Sequence, residues 1–193
     1  MITRCVGQLE YEASPLLDTP HGFSTRLGGV SEGYLASVNV GCLRGDGEEN
    51  LGVFYRRFCA ATGTVESRVV MTIQVQGVEV RAVDEAEVKP DLLAPTPFEA
   101  DGLTTDRPGI TLVIFSADCV PILLFDPVRR VAGACHAGWR GTAGAIARWT
   151  VEAMVSRYGC APEDIRAAIG PAIGPCCFET DADVPQAMET SLG

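Results

Sequence analysis

Three apolar runs of strand length, at 110–115, 120–125 and 131–137, follow one another with only short polar gaps between them. No other feature limits the fold of this chain as much. Ile110–Phe115 and Val120–Phe125 are rich in β-branched and large apolar residues, the composition of buried strands. Val131–Ala137 is a third run, built mostly of small residues. Asp126-Pro127 marks a turn between the second and third. Strands this close in sequence cannot each be separated by a crossover helix, so the sheet is expected to be antiparallel or mixed rather than a pure βαβ repeat.

Helical periodicity brackets these strands. Glu48 to Ala61 is expected to be a helix with Leu51, Phe54, Tyr55 and Phe58 on one face, stopped by Gly63. Thr142–Tyr158 is expected to be another, with Thr142 as N-cap, Ala143, Ala147, Val151, Met154 and Tyr158 on one face, and Gly159 as stop. Ile165–Ile169 is a fourth strand, and Asp181–Glu189 opens a last helix. In the N-terminal half, 38–41, 69–76 and 78–83 have β-type composition. The acid- and proline-rich stretch Asp84–Pro97 is expected to be a loop. With no repeat or linker, residues 1–193 are expected to form a single α/β domain.

Composition excludes several classes of function. The net charge is -10, which disfavours nucleic acid and anionic membrane as partners. The apolar runs fall far short of the ~20 residues of a membrane-spanning helix. Met1-Ile2-Thr3-Arg4-Cys5 opens no long apolar segment of signal-peptide type, so a cytoplasmic location and free thiols at the eight cysteines are expected. Only His21 and His136 are histidines, too few imidazoles for a multicopper centre. Neither a GxGxxG nor a P-loop sequence is present.

Chemistry concentrates in four places. Ser116-Ala117-Asp118-Cys119 sets reactive side chains at a strand junction, where burying them without a role is costly. His136 ends the run of small residues, which leaves open space beside its imidazole. It is followed by Ala137-Gly138-Trp139-Arg140-Gly141 and a helix start, an arrangement suited to an anion. Cys119 and His136 are a nucleophile–base pair or a pair of metal ligands. Thr25-Arg26-Leu27-Gly28-Gly29 is a second anion-ready turn, with Arg26 as a fork of donors and Gly28 and Gly29 opening the backbone to a ligand. Gly170-Pro171-Ala172-Ile173-Gly174-Pro175-Cys176-Cys177-Phe178-Glu179 reads as a rigid loop bearing a vicinal thiol pair, either a turn with two packed cysteines or a wall of the pocket.

Together, HGFSTRLGGVS (21–31), SVNVG (37–41), EADGLTTDRPGI (99–110), SADCVP (116–121), HAGWRGT (136–142) and AIGPAIGPCCFE (168–179) resemble, in order and spacing, the YfiH-like or DUF152 family, also known as polyphenol oxidase or laccase-domain proteins. The resemblance runs from about residue 20 to the chain end. It implies an α/β fold of mixed sheets packed between helices (α/β/β/α). It also implies purine nucleoside phosphorylase activity, acting on adenosine or inosine with phosphate, together with adenosine deaminase activity. The implied cofactor is zinc, held in the family by the histidine of a QVHG block, the cysteine of ADC and the histidine of HAGWRG. The last two correspond to Cys119 and His136. The first corresponds to Gln76, since this chain reads Gln74-Val75-Gln76-Gly77, and a carboxamide is a weaker zinc ligand than imidazole. Family members continue past the equivalent of Gly193 with a block resembling NPDxFFSYRRD, which is expected to be lacking here. On this resemblance Arg26 and Arg140 would hold phosphate with His21 nearby, Asp118 would orient the ligand or handle the purine proton, and Cys119 and His136 would bind metal or act directly. The alternatives are a cysteine-dependent hydrolase using Cys119 and His136, and an inactive nucleoside-binding relative.

Overall fold

A computed structural model describes residues 1–41, 45, 47–92 and 94–192. The chain opens with a hairpin of β1 (Ile2–Val6) and β2 (Leu9–Ala13), to which β3 (Phe23–Ser24) adds an antiparallel edge. Strand β2 buries Leu9, Tyr11 and Ala13 and leaves Glu10 and Glu12 half-buried between them, the period-two pattern of a one-sided strand. Helix α1 (Glu48–Thr62) follows, ending on Gly63 in the left-handed conformation, as the expected stop requires. It buries Leu51, Phe54, Tyr55 and Cys59. Phe58 is half-buried but stacks on Phe54 with ring centres 5.6 Å apart and meets Tyr11 edge-on at 6.0 Å. These aromatics join the hairpin to the helix.

The remaining strands are β4 (Val69–Val70), β5 (Val80–Ala82), β6 (Gly102–Thr105), β7 (Thr111–Leu112), β8 (Val120–Asp126), β9 (Val131–Ala137) and β10 (Arg166–Ile169). A five-stranded sheet runs in the order β10-β8-β9-β6-β5; β4 and β7 form a separate parallel pair. Within the large sheet β5 and β6 are parallel and the other neighbours antiparallel, so the sheet is mixed. Helices α2 (Trp139–Ala143), α3 (Ile146–Tyr158) and α4 (Asp183–Leu192) complete the fold.

Several expectations are corrected. The helix over 142–158 is broken: Ala145 adopts φ 61, ψ 42 and separates α2 from α3. Thr142 lies inside α2 and caps nothing. The inward face of α3 is Ile146, Thr150 and Met154. The small residue at Gly133 serves close packing between β9 and α3. A Cβ on Gly133 would stand 3.0 Å from Met154 Sδ, and one on Gly102 3.0 Å from Thr150 Oγ1. Helix α3 therefore lies directly on β9 and β6. Residues 38–41 form no strand. Of 110–115 only Thr111–Leu112 joins a ladder, and of 69–76 only Val69–Val70. The 84–97 stretch holds no helix or strand among the described residues; Leu93 lies outside them. Seven cysteines are free thiols, and Cys42 lies outside the described residues. No helix among the described residues is long and apolar enough to cross a membrane.

Candidate active site

Register assembles the site. Strands β8 and β9 are antiparallel with Pro121 opposite His136 and Val120 opposite Ala137. Cys119, just before β8, therefore falls beside Gly138, just after β9. On the other side of β9, Gly102 pairs with Cys135, which sets Asp101 next to His136; the His136 N–H donates to the Asp101 carbonyl at 2.8 Å. The 72–77 segment reaches the same end of the sheet. Thr72 Oγ1 donates to the Ala100 carbonyl at 2.8 Å, and the Ala100 N–H to the Ile73 carbonyl at 3.1 Å.

Gly138 marks the meeting point of the three predicted ligand positions. A methyl group placed on it would stand 3.2 Å from Cys119 Sγ and 3.5 Å from both Gln76 Oε1 and His136 Cε1. Side chains drawn from positions 76, 119 and 136 thus surround one cradle that a Cβ would fill. Gln76 holds φ 59, a left-handed conformation uncommon for a non-glycine residue.

Asp101 holds this arrangement, and sequence reasoning did not find it. Its carboxylate is fully buried. It accepts from the backbone N–H groups of Val75 (3.1 Å), Gln76 (3.1 Å) and Gly77 (2.8 Å), and lies 2.8 Å from His136 Nδ1. An ionised carboxylate only accepts, so His136 carries its proton on Nδ1 and keeps the lone pair on Nε2. A histidine oriented by a carboxylate in this way is the usual outer support of a metal-binding imidazole. Gln74 was also missed. Its carboxamide accepts from the Phe115 N–H at 2.6 Å and donates to the Phe115 carbonyl at 2.7 Å, pinning the segment that enters Ser116–Cys119 against the 74–77 turn. The available signal was weak: two amides in a short apolar context and an acid ahead of a Gly-Leu-Thr-Thr strand.

Burial pushes the Cys119 thiol above its ordinary value, and the nearby charges of Asp118 and Asp101 push the same way. The bare thiol is therefore not an activated nucleophile. Cys119 and His136 are strong metal donors and Gln76 a neutral one. Among the described residues, no group of three or more His, Cys, Asp or Glu side chains is placed to hold a metal. Asp118 is exposed beside Cys119, and its carbonyl accepts from the Ile173 N–H at 3.0 Å.

The other predicted residues sit as follows. Arg140 is exposed in α2, its guanidinium 4.1 Å above the Trp139 ring. Helix α2 is only five residues long, too short for the anion-binding helix start expected after His136. Arg26 is exposed and donates to the Ala36 carbonyl at 2.6 Å. Gly28 and Gly29 answer to packing: side chains there would strike the backbone of Leu9 and the Ser37 carbonyl. The Gly29 N–H is already given to Ser37 Oγ at 3.2 Å. His21 accepts from the Ser14 N–H at Nε2 (2.9 Å) and so donates from Nδ1 to the Thr19 carbonyl (2.7 Å), which occupies both ring nitrogens. A cavity of about 350 Å³, lined by His21, Phe23, Phe54, Phe58, Ser116 and Ala117 among others, opens between α1 and the large sheet. It borders the Ser116–Cys119 segment, but Gln76, Cys119 and His136 do not line it.

The multi-copper polyphenol oxidoreductase laccase family matches residues 20–193. Purine nucleoside phosphorylase YlmD of Geobacillus stearothermophilus is 38% identical over 189 residues, which cover 96% of this chain and 69% of that protein. The purine nucleoside phosphorylase of Deinococcus radiodurans is 42% identical over 171 residues, 89% of this chain and 63% of the relative. The crystal structure of YlmD from Geobacillus stearothermophilus superposes with a TM-score of 0.86 at 35% identity, covering 98% of this chain and 72% of that one. This chain thus spans roughly two thirds of the length of these relatives, and it belongs to the multi-copper polyphenol oxidoreductase laccase family, which in its YfiH-like members has the same mixed α/β fold.

Proposed function

We propose that this chain acts in phosphorolysis of purine nucleosides. The observation that supports it most is the convergence of Gln76, Cys119 and His136 on Gly138 in this chain, taken with its similarity to relatives that carry the name purine nucleoside phosphorylase. In the proposed reaction an oxygen of phosphate bonds to the anomeric carbon. The glycosidic C–N bond breaks, its electrons pass to the purine, and a ring nitrogen of the base takes up a proton. Two groups must be supplied: cations that hold phosphate against the sugar, and a proton carrier for the leaving base.

Arg140 and Arg26 are the cations proposed for phosphate, both exposed and able to present a bidentate fork. Asp118 is the exposed carboxyl group proposed to orient the nucleoside or carry the proton. His136, fixed by Asp101 through Nδ1, sets the Cε1 corner of its ring against the cradle. His21 supports the 14–21 turn, so its part would be indirect. The donor set at Gly138 fits zinc, with Cys119 and His136 as its main ligands and Gln76 as a weak third; when bound, zinc would supply Lewis acidity. Adenosine deamination, with water replacing the 6-amino group and ammonia leaving, is proposed for the same site. The raised Cys119 thiol speaks against a metal-free cysteine hydrolase.

The test is base release from inosine and adenosine with and without phosphate. Release that requires phosphate and yields ribose 1-phosphate supports the proposal; equal release without phosphate overturns it in favour of hydrolysis. Arg140→Ala is expected to raise the phosphate requirement well before it weakens nucleoside binding.

A further inference from the structure

The 170–178 loop carries chemistry that the proposed reaction does not use. Cys176 and Cys177 are both exposed, and their sulfurs lie 3.2 Å apart. A tight turn holds them there: the Gly174 carbonyl accepts from the N–H groups of Cys177 (3.0 Å) and Phe178 (3.1 Å), just after Pro175. Four of the remaining described thiols are less favourable targets. Cys59, Cys135 and Cys160 are buried with their thiols pushed up, and Cys119 is half-buried and pushed up. Cys5 is exposed on β1.

We propose that Cys176 and Cys177 are a vicinal dithiol modification site, which hydroperoxides close to a reversible disulfide between neighbouring residues. The Cys176 thiolate attacks the terminal oxygen of the peroxide. The O–O bond breaks, hydroxide or alkoxide leaves and takes a proton, and Cys176 becomes a sulfenic acid. Cys177 then attacks the sulfenic sulfur; an S–S bond forms, the S–O bond breaks and water leaves. For hydrogen peroxide the sum is two thiols and one peroxide giving one disulfide and two waters. The Cys177 thiol, pushed up by hydrogen bonding to Cys176, is assigned the second step.

Reversibility follows from adjacency. Neighbouring Cα atoms are about 3.8 Å apart across a trans peptide, below the roughly 4.4–6.8 Å usual for a disulfide. The ring is therefore strained, and strained, exposed disulfides are the readily reduced ones. The same loop touches the candidate site through its N–H groups at Gly170 and Ile173, which donate to the Pro121 and Asp118 carbonyls at 2.8 and 3.0 Å.

The full chain, reduced and freed of reductant, is titrated with hydrogen peroxide and followed by intact mass, thiol alkylation and peptide mapping. The expected product has lost two hydrogens and two alkylatable thiols, both mapped to 176–177, and reduced glutathione restores it. Cys177→Ser is expected to stop at a sulfenic acid on Cys176 that dimedone traps, and Cys176→Ser to form no ring. First oxidation at Cys119 or Cys5, a disulfide between two copies of the chain, or a wild-type Cys176 that accumulates sulfenic or sulfinic acid without closing the ring would each overturn the proposal.

Discussion

Replacing Asp101 by asparagine separates the positioning of the site from its ligand chemistry. The wild-type carboxylate takes four donors, three from consecutive backbone N–H groups and one from His136 Nδ1. Asparagine keeps the volume but offers one accepting oxygen and one NH2 group, which in either orientation faces two of those donors. Hydrogen bonds to a charged acceptor contribute about 1.5–3 kcal/mol each, and buried donors left without partners carry their full desolvation cost. Losing two such bonds, with some relaxation of the 75–77 turn, is expected to cost about 3 kcal/mol. Against a total stability of roughly 5–15 kcal/mol, the variant still folds. Two measurements read the effect. Urea denaturation should show the drop in midpoint with an unchanged slope. Nitrogen chemical shifts of His136 should move from a single Nδ1–H tautomer to a mixture, because the carboxylate that fixes the proton is gone. A loss below about 1 kcal/mol, or an unchanged tautomer, would refute the assignment of Asp101 as the group that sets both turn and imidazole.

Three further outcomes are expected. Gly138→Ala fits the backbone, since Gly138 holds φ -67 and ψ 171. Its methyl fills the cradle 3.2 Å from Cys119 Sγ, so zinc binding and nucleoside turnover should be lost while the melting temperature changes little; retained zinc affinity would show that the metal does not sit there. Gln76→His should raise zinc affinity at least tenfold by calorimetry after chelator treatment, because imidazole replaces a neutral oxygen, and histidine tolerates the left-handed backbone better than most residues. Equal affinity would mean that position 76 does not face the metal. Burial raises the Cys135 thiol to about 11. The folded state therefore keeps a proton that the unfolded state gives up near pH 9, so this contribution is complete below pH 9 and is lost as pH rises to 11. It should amount to about 1.4 kcal/mol per pH unit over that window. Denaturation between pH 8 and 11 should fall less steeply for Cys135→Ala, and parallel curves would contradict this.

The strands were legible where the sequence recorded burial, and misread where burial and hydrogen bonding part company. Val131–Ala137 is found at its expected bounds, because its run ends at a polar turn on one side and at Gly138 on the other. Ile110–Phe115 is apolar for a different reason. Ile110, Leu112 and Ile114 pack around Val70, Val83 and Leu103, while Val113 and Phe115 pack on the cluster of Leu9, Phe54, Tyr55, Val69 and Met71. The alternation reports an extended segment wedged between two cores, yet only Thr111–Leu112 joins a ladder. Conversely, Gly102–Thr105 is wholly buried but reads as Gly-Leu-Thr-Thr, with neither alternation nor an apolar run to mark it.

The site shows the same division more sharply. Cys119 and His136 stand out because reactive side chains at strand ends are costly without a purpose. Nothing in their spacing places Gln76 beside them; that position came from the QVQG block and its resemblance. The physical cause is Asp101, whose partners include three backbone N–H groups that carry no residue identity. For one carboxylate to collect the N–H groups of residues 75, 76 and 77, the backbone must turn in upon it, and Gln76 takes φ 59 in doing so. That turn aims the side chain of residue 76 at Gly138 whatever that side chain is. Asp101 thus fixes where the third donor stands, and residue 76 fixes only how strongly it binds. A glutamine there weakens the donor and leaves the cradle in place, which is why a single imidazole is expected to restore the three-ligand set.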